Sequence, residues 1–148
     1  MQAVEKVKIS DAEWEIMRVV WTLKQATSKE INAVLQEKMA WKPATTKTLI
    51  GRLVKKGALA TEAVGNRFIY SAAVSEEAEI KEATSDILAH ICNRKAGESI
   101  AHLLEEATLS HDDVAMLEEL LQKKKTEAVD VVACDCVPGQ CNCQHFSR

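Results

Sequence analysis

Ten residues near the end of this 148-residue chain hold four cysteines, in the order Cys134-Asp-Cys136-Val-Pro-Gly-Gln-Cys141-Asn-Cys143. In extended backbone, residues i and i+2 project to the same side, so each Cys-x-Cys pair presents two sulfurs together. Pro138-Gly139 suits the two central positions of a type II turn, which folds the second pair back on the first. Four thiolates then converge on one point. Zn(II) would take all four tetrahedrally at about 2.3 Å. Cu(I), soft and thiolate-selective, fits as two ions sharing bridging sulfurs. One Zn(II) and two Cu(I) carry the same charge, so exchange between them changes geometry and leaves net charge alone.

The remaining candidates for chemistry are weaker. Cys92 stands alone beside Ile91 in a helical pattern and reads as a small buried hydrophobe. His90, His102 and His111 show no ligand spacing, and His145 is not needed once four sulfurs complete a site. No Ser/His/Asp grouping, phosphate loop or paired acid points to an enzyme. The opening Met1-Gln-Ala-Val-Glu-Lys-Val-Lys-Ile has no apolar signal region, and no later stretch approaches a membrane span. A cytoplasmic chain is expected, where thiols stay reduced and a cysteine cluster reads as a metal site before a disulfide staple.

Charge is divided unevenly. Residues 1–74 carry a formal +5 and residues 75–148 a formal −8, which together give the net −3. An acidic whole does not exclude nucleic-acid binding, because a binding face needs only local positive charge. The basic half holds Trp41-Lys-Pro-Ala-Thr-Thr-Lys-Thr-Leu-Ile-Gly-Arg-Leu-Val-Lys-Lys-Gly57. Helical spacing sends Leu49, Leu53 and Val54 to a buried side and leaves Ala44, Thr45, Thr48, Gly51, Arg52 and Lys55 on the opposite strip. Small hydroxyl residues followed by basic ones suit a major-groove helix. Thr45 and Thr48 can meet base edges or thymine methyls, while Lys47, Arg52 and Lys55 would hold phosphates.

The elements that must position these residues are legible from caps and periods. Ser10-Asp-Ala-Glu13 is a capping box opening a first helix to about Leu23, with Trp14, Met17, Trp21, Ile16, Val20 and Leu23 forming a broad buried face. Trp14, Trp21 and Trp41 read as core or junction residues and not as a base-stacking platform. Thr27-Ser-Lys-Glu30 repeats the cap for a second helix, with Ile31, Val34 and Leu35 inward. Pro43 opens the third helix and Gly57 ends it. The period then becomes alternating: Leu59–Val64 and Arg67–Tyr70 flank Gly65-Asn66, a hairpin signal that places Arg67 where a wing would touch DNA backbone or minor groove. From Ser75 onward three more helices are expected, broken near Lys95-Ala-Gly97 and capped again by Ser110-His-Asp-Asp113. Their stripes of Ile80, Ile87, Leu88, Ile100, Leu103, Leu104, Val114, Leu117, Leu120 and Leu121 have little else to pack on, so self-association is expected.

Asp11-Ala-Glu-Trp-Glu-Ile-Met-Arg-Val-Val-Trp21, followed by the Trp41–Gly57 segment, resembles the penicillinase repressor family of winged-helix regulators. The Cys-x-Cys-x4-Cys-x-Cys tail resembles that of the family's copper-responsive, CopY-type branch. The third helix departs from the commoner family pattern at Ala44 and Thr46, where Lys and Ile are frequent. The resemblance implies a homodimer on a palindromic operator, repression in a Zn(II)-loaded form, and release of DNA when Cu(I) displaces zinc. It also implies control of copper-transport genes, with a copper chaperone as a candidate metal donor.

The expected architecture is mainly α: a winged helix-turn-helix with a two-stranded β wing over residues 1–74, a helical dimerisation region over 75–126, and a metal-binding tail over 127–148. The expected DNA-binding residues are Thr45, Lys47, Thr48, Arg52, Lys55 and Arg67, and the expected metal ligands are Cys134, Cys136, Cys141 and Cys143. Alternatives are a β-lactam-type repressor with an unrelated metal tail, a thiol-based copper buffer, and a redox sensor.

Overall fold

Local capping sets where the first helices begin. In a computed structural model that describes residues 7–143, α1 (Asp11–Leu23) starts at Ser10, whose Oγ accepts from the Glu13 amide while the Glu13 carboxylate accepts from the Ser10 amide. The same reciprocal pair, Thr27 with Glu30, opens α2 (Ser28–Met39). Each box satisfies two amides that a helix start leaves without intrahelical partners. Helix α3 (Pro43–Lys56) has no side-chain cap and begins on proline, whose missing N–H removes one orphan donor. It closes at Gly57, where the amides of Gly57 and Ala58 bond back to the carbonyls of Val54 and Leu53.

Between α1 and α2 lies a two-residue strand, β1 (Gln25–Ala26). It pairs antiparallel with β3 (Arg67–Ala72), which also pairs with β2 (Leu59–Val64), giving a sheet in the order β1-β3-β2. The wing is therefore part of a three-stranded sheet and not a free two-stranded ribbon. Two residues carry no readable period, so β1 left no trace in the sequence. The β2–β3 register places Val64 opposite Arg67, and Gly65 takes φ 63° at the first of the two turn positions, where a type II′ hairpin requires positive φ.

The described residues divide into two units, one through Glu82 and one from Ala83. The first is built on Ile16, Met17 and Val20 of α1, Ile31 and Leu35 of α2, Leu49, Ile50 and Leu53 of α3, and Ala58 with Leu59 beside them. Trp21 is buried and its Nε1 donates to the Val74 carbonyl at 2.9 Å; Trp14 meets it edge-on at 5.6 Å, and Trp41 packs against the same core. Four expected core positions differ. Leu23 and Val34 are exposed, lining a shallow apolar depression with Arg18 and Lys38, and Trp14 and Val54 are only half-buried at the edge of the core. Periodicity fixes which side of a helix is apolar, whereas the width of the covered strip depends on which neighbours arrive.

The second unit contains the C-terminal half of α4 (Glu76–Ala89), a 3-10 turn at Asn93–Lys95, α5 (Ala96–Glu106), α6 (His111–Glu127) and the tail. Ser75 and Ser110 cap α4 and α6 through the amides of Ala78 and Asp113. The break falls at residues 90–95, so Gly97 lies inside α5 instead of ending a helix. No side chain of α4, α5 or α6 is buried within one chain. Cys92, between α4 and the 3-10 turn, is the exception in this unit among the described residues.

Candidate functional site

The two regions singled out in the sequence lie in different units. In the first, α3 exposes Ala44, Thr45, Lys47, Thr48, Gly51, Arg52 and Lys55 together, and Arg67 is exposed at the start of β3. Thr46 instead turns inward and is fully buried. The Thr48 hydroxyl donates to the Ala44 carbonyl at 3.0 Å, so its proton is committed and its methyl and a lone pair remain outward.

A groove of about 640 Å³ runs between the start of α2, α3 and the hairpin, lined by Thr27, Ser28, Lys29, Lys47, Asn66, Arg67, Phe68 and Tyr70. Three cations and the N-terminus of α2 face it, an arrangement suited to a phosphodiester. The Glu30 carboxyl is held below its ordinary range by the Thr27 amide and hydroxyl, against some desolvation, and also by the charge of Arg67. Arg67 and the α2 cap residue Thr27 line the same groove. Lys29 was not a sequence candidate; its position in the first turn of a capped helix was the available signal, and the fold brings it beside Lys47.

In the second unit the tail folds as its turn chemistry predicts. Pro138 and Gly139 occupy the central turn positions, Gly139 has φ 98°, and the Gln140 amide donates to the Val137 carbonyl at 3.1 Å. The two cysteine pairs meet, with Cys134 Sγ 3.4 Å from Cys141 Sγ. Cys92 joins them: its sulfur lies 3.5 Å from that of Cys134 and 3.7 Å from that of Cys143. The sulfurs of Cys92, Cys134, Cys136 and Cys141 all lie within 4.8 Å of one another. Cys92 is therefore buried, as expected, but against sulfur and not only among aliphatic side chains.

All five cysteines are thiols without disulfides. Tetrahedral ligands at about 2.3 Å from one ion stand about 3.8 Å apart, so the observed sulfur spacings and an all-thiol donor set fit Zn(II) or Cu(I). Burial, then hydrogen bonds with the sulfurs of Cys134, Cys92 and Cys141, push the Cys136 thiol well above its usual range. Cys136 therefore keeps its proton until a cation compensates the thiolate charge. His145 lies outside the described residues.

The chain matches the penicillinase repressor family model over residues 9–123. It is 45% identical to an uncharacterized 16.5 kDa protein of Latilactobacillus sakei over 93% of this chain and 94% of that protein. It is 30% identical to the penicillinase repressor of Bacillus licheniformis over 80% of this chain and 92% of that one. A solved CopR repressor structure shares 46% identity across 44% of this chain and 94% of its own, with a TM-score of 0.40. No helix among the described residues is long and apolar enough to cross a membrane. The chain belongs to the penicillinase repressor family of DNA-binding transcriptional repressors, which are not enzymes.

Proposed function

We propose that the chain is a copper-responsive repressor of a copper-homeostasis operon, acting in the cytoplasm as a homodimer on a palindromic operator. The observation that carries this reading is the convergence of the tail thiols, a donor set selective for soft ions, in a chain that also presents a basic helix and wing. Residues 1–74 would bind DNA, 75–126 would dimerise, and 127–148 would take the metal.

At the DNA, Thr45 and the outward Thr48 methyl face base edges, while Lys47, Arg52 and Lys55 hold phosphates and Arg67 reaches the backbone or minor groove. The exposed aliphatic side chains of α4, α5 and α6 supply the reason for a second copy, because stripes of this extent are stable in water only when covered. At the tail, the thiols of Cys134, Cys136, Cys141 and Cys143 are the candidate donors to the ion. Zn(II) held there would crosslink the thiols, and the zinc-loaded or metal-free dimer would occupy the operator. Cu(I), delivered by a donor such as a copper chaperone, is the signal that releases it.

Titrating Zn(II) and Cu(I) separately into the complex with the protein's own promoter DNA, while following gel retardation, tests the reading. Release by Cu(I) and retention with Zn(II) is the expected result; indifference to both would refute it. The second reading, a β-lactam-type response, is favoured by the identity to the Bacillus licheniformis penicillinase repressor. It predicts a complex that neither ion dissociates.

A further inference from the structure

We infer that Cys92 is a ligand of the divalent ion, replacing Cys143 in a tetrathiolate made with Cys134, Cys136 and Cys141, and that metal binding thereby fastens the tail to the segment joining α4 and α5. The inference rests on the reading of the tail as a metal site and concerns which sulfurs compose it.

Five thiols are gathered where a tetrahedral ion uses four. The four whose sulfurs lie mutually within 4.8 Å include Cys92. Cys143 has its sulfur 3.7 Å from that of Cys92 but is not one of the four that all lie within 4.8 Å of one another, which leaves it as the surplus donor. The backbone supports the same grouping independently of the sulfurs. Arg94 Nε donates to the Val132 carbonyl at 3.0 Å, and the Asn93 side-chain amide makes a longer contact, 3.5 Å, to the Ala133 carbonyl. The 3-10 turn that follows Cys92 thus holds the strand of tail that leads into Cys134. A recess of about 280 Å³ lined in part by Cys92, Asn93, Asp135 and Cys136 leaves solvent access to this side of the cluster.

The consequence is a route from metal to helices. A site made of the tail alone would close a ten-residue loop and leave the helices untouched. A site that includes Cys92 closes a loop from the α4–α5 junction to the tail, and so encloses α5 and α6. Exchange for an ion of different geometry then acts on the helical region directly.

Alkylation of the full-length wild-type protein, loaded with Zn(II) alone and mapped by mass spectrometry, distinguishes the two sites. The expected result is that Cys143 is modified while Cys92, Cys134, Cys136 and Cys141 are protected, and that chelation of the zinc restores reactivity at all four. Protection of Cys143 with modification of Cys92 would overturn the inference while leaving the tail as a metal site. No zinc-dependent protection at any cysteine would overturn the metal reading as well. In parallel, Cys92→Ser should weaken Zn(II) binding in chelator competition by more than about tenfold, since even groups that only orient ligands contribute about that much. Cys143→Ser should change it less than about threefold; the reverse order counts against the assignment.

Discussion

The Asn32 side-chain amide on α2 donates to the buried Thr46 hydroxyl on α3 at 2.6 Å, and also reaches the Trp41 carbonyl at 3.3 Å. One amide therefore spans the turn and fixes how α3 leaves it. The hydroxyl at position 46, a departure from the commoner aliphatic residue of the resembling family, has a partner that gives it a reason. Thr46→Val should cost about 1–2 kcal/mol, because the shape is kept while a donor loses its acceptor. Urea unfolding of Asn32→Ala, Thr46→Val and the double variant checks this. Additive losses would show that the two side chains do not act as a pair.

Glu13 closes the α1 capping box and also receives the Lys56 ammonium from the end of α3, while Lys56 donates to the Lys8 carbonyl at 2.7 Å. Desolvation pushes this carboxyl up, but the hydrogen bonds from Lys56 and Ser10 and the lysine charge prevail, leaving it below its ordinary value of 4.5. A carboxyl depressed in the folded state adds stability that is complete above its unfolded value and disappears as pH falls through the folded one. Glu13→Gln should therefore destabilise at neutral pH by about 1–2 kcal/mol, a moderate figure because Lys56 is one-third exposed and can rehydrate. It should also flatten the loss of stability below about pH 4.5. An unchanged acid limb in thermal unfolding would show that another group governs it.

If about four basic residues per subunit meet phosphates, a dimer neutralises about eight, and log K should fall against log salt with a slope of roughly −7. Arg52→Ala removes two contacts per dimer and should bring the slope nearer zero by roughly 2. Thr45→Ala should leave the slope unchanged and reduce discrimination between operator and altered sites. Fluorescence anisotropy across a salt series reads all three, and a wild-type slope near −2 would contradict docking through α3 and the wing.

The parts legible in the sequence were those set by neighbours within a few residues. The three capping boxes, the Gly65-Asn66 hairpin and the Pro138-Gly139 turn each depend on contacts three or four positions apart, so type and spacing suffice. Cys92 was read as an isolated hydrophobe because its sulfur partner Cys134 is 42 positions away and only the chain's path brings them together. Asn32 and Thr46 were missed for the same reason at shorter range. Leu23 and Val34 failed differently, since an apolar residue at helical spacing says nothing about whether another element covers it.

The helices and the tail should separate cleanly under mutation. Leu120 and Leu121 of α6 are 51% and 56% exposed in one chain, and Leu103 of α5 is 47% exposed, so these two helices, with α4, offer the aliphatic area that a second copy would cover. Leu120→Glu places a charge in that area and should give a monomer by sedimentation equilibrium, with operator affinity reduced because two half-sites no longer bind as one unit. Its thiol cluster is built from residues 92 and 134–143 of the same chain, so Zn(II) uptake should persist. Cys141→Ser should do the opposite: a dimer that retards operator DNA as the wild type does, with no response to Cu(I). A Cys141→Ser protein that lost its dimer would mean that the tail, and not the aliphatic stripes alone, holds the two copies together.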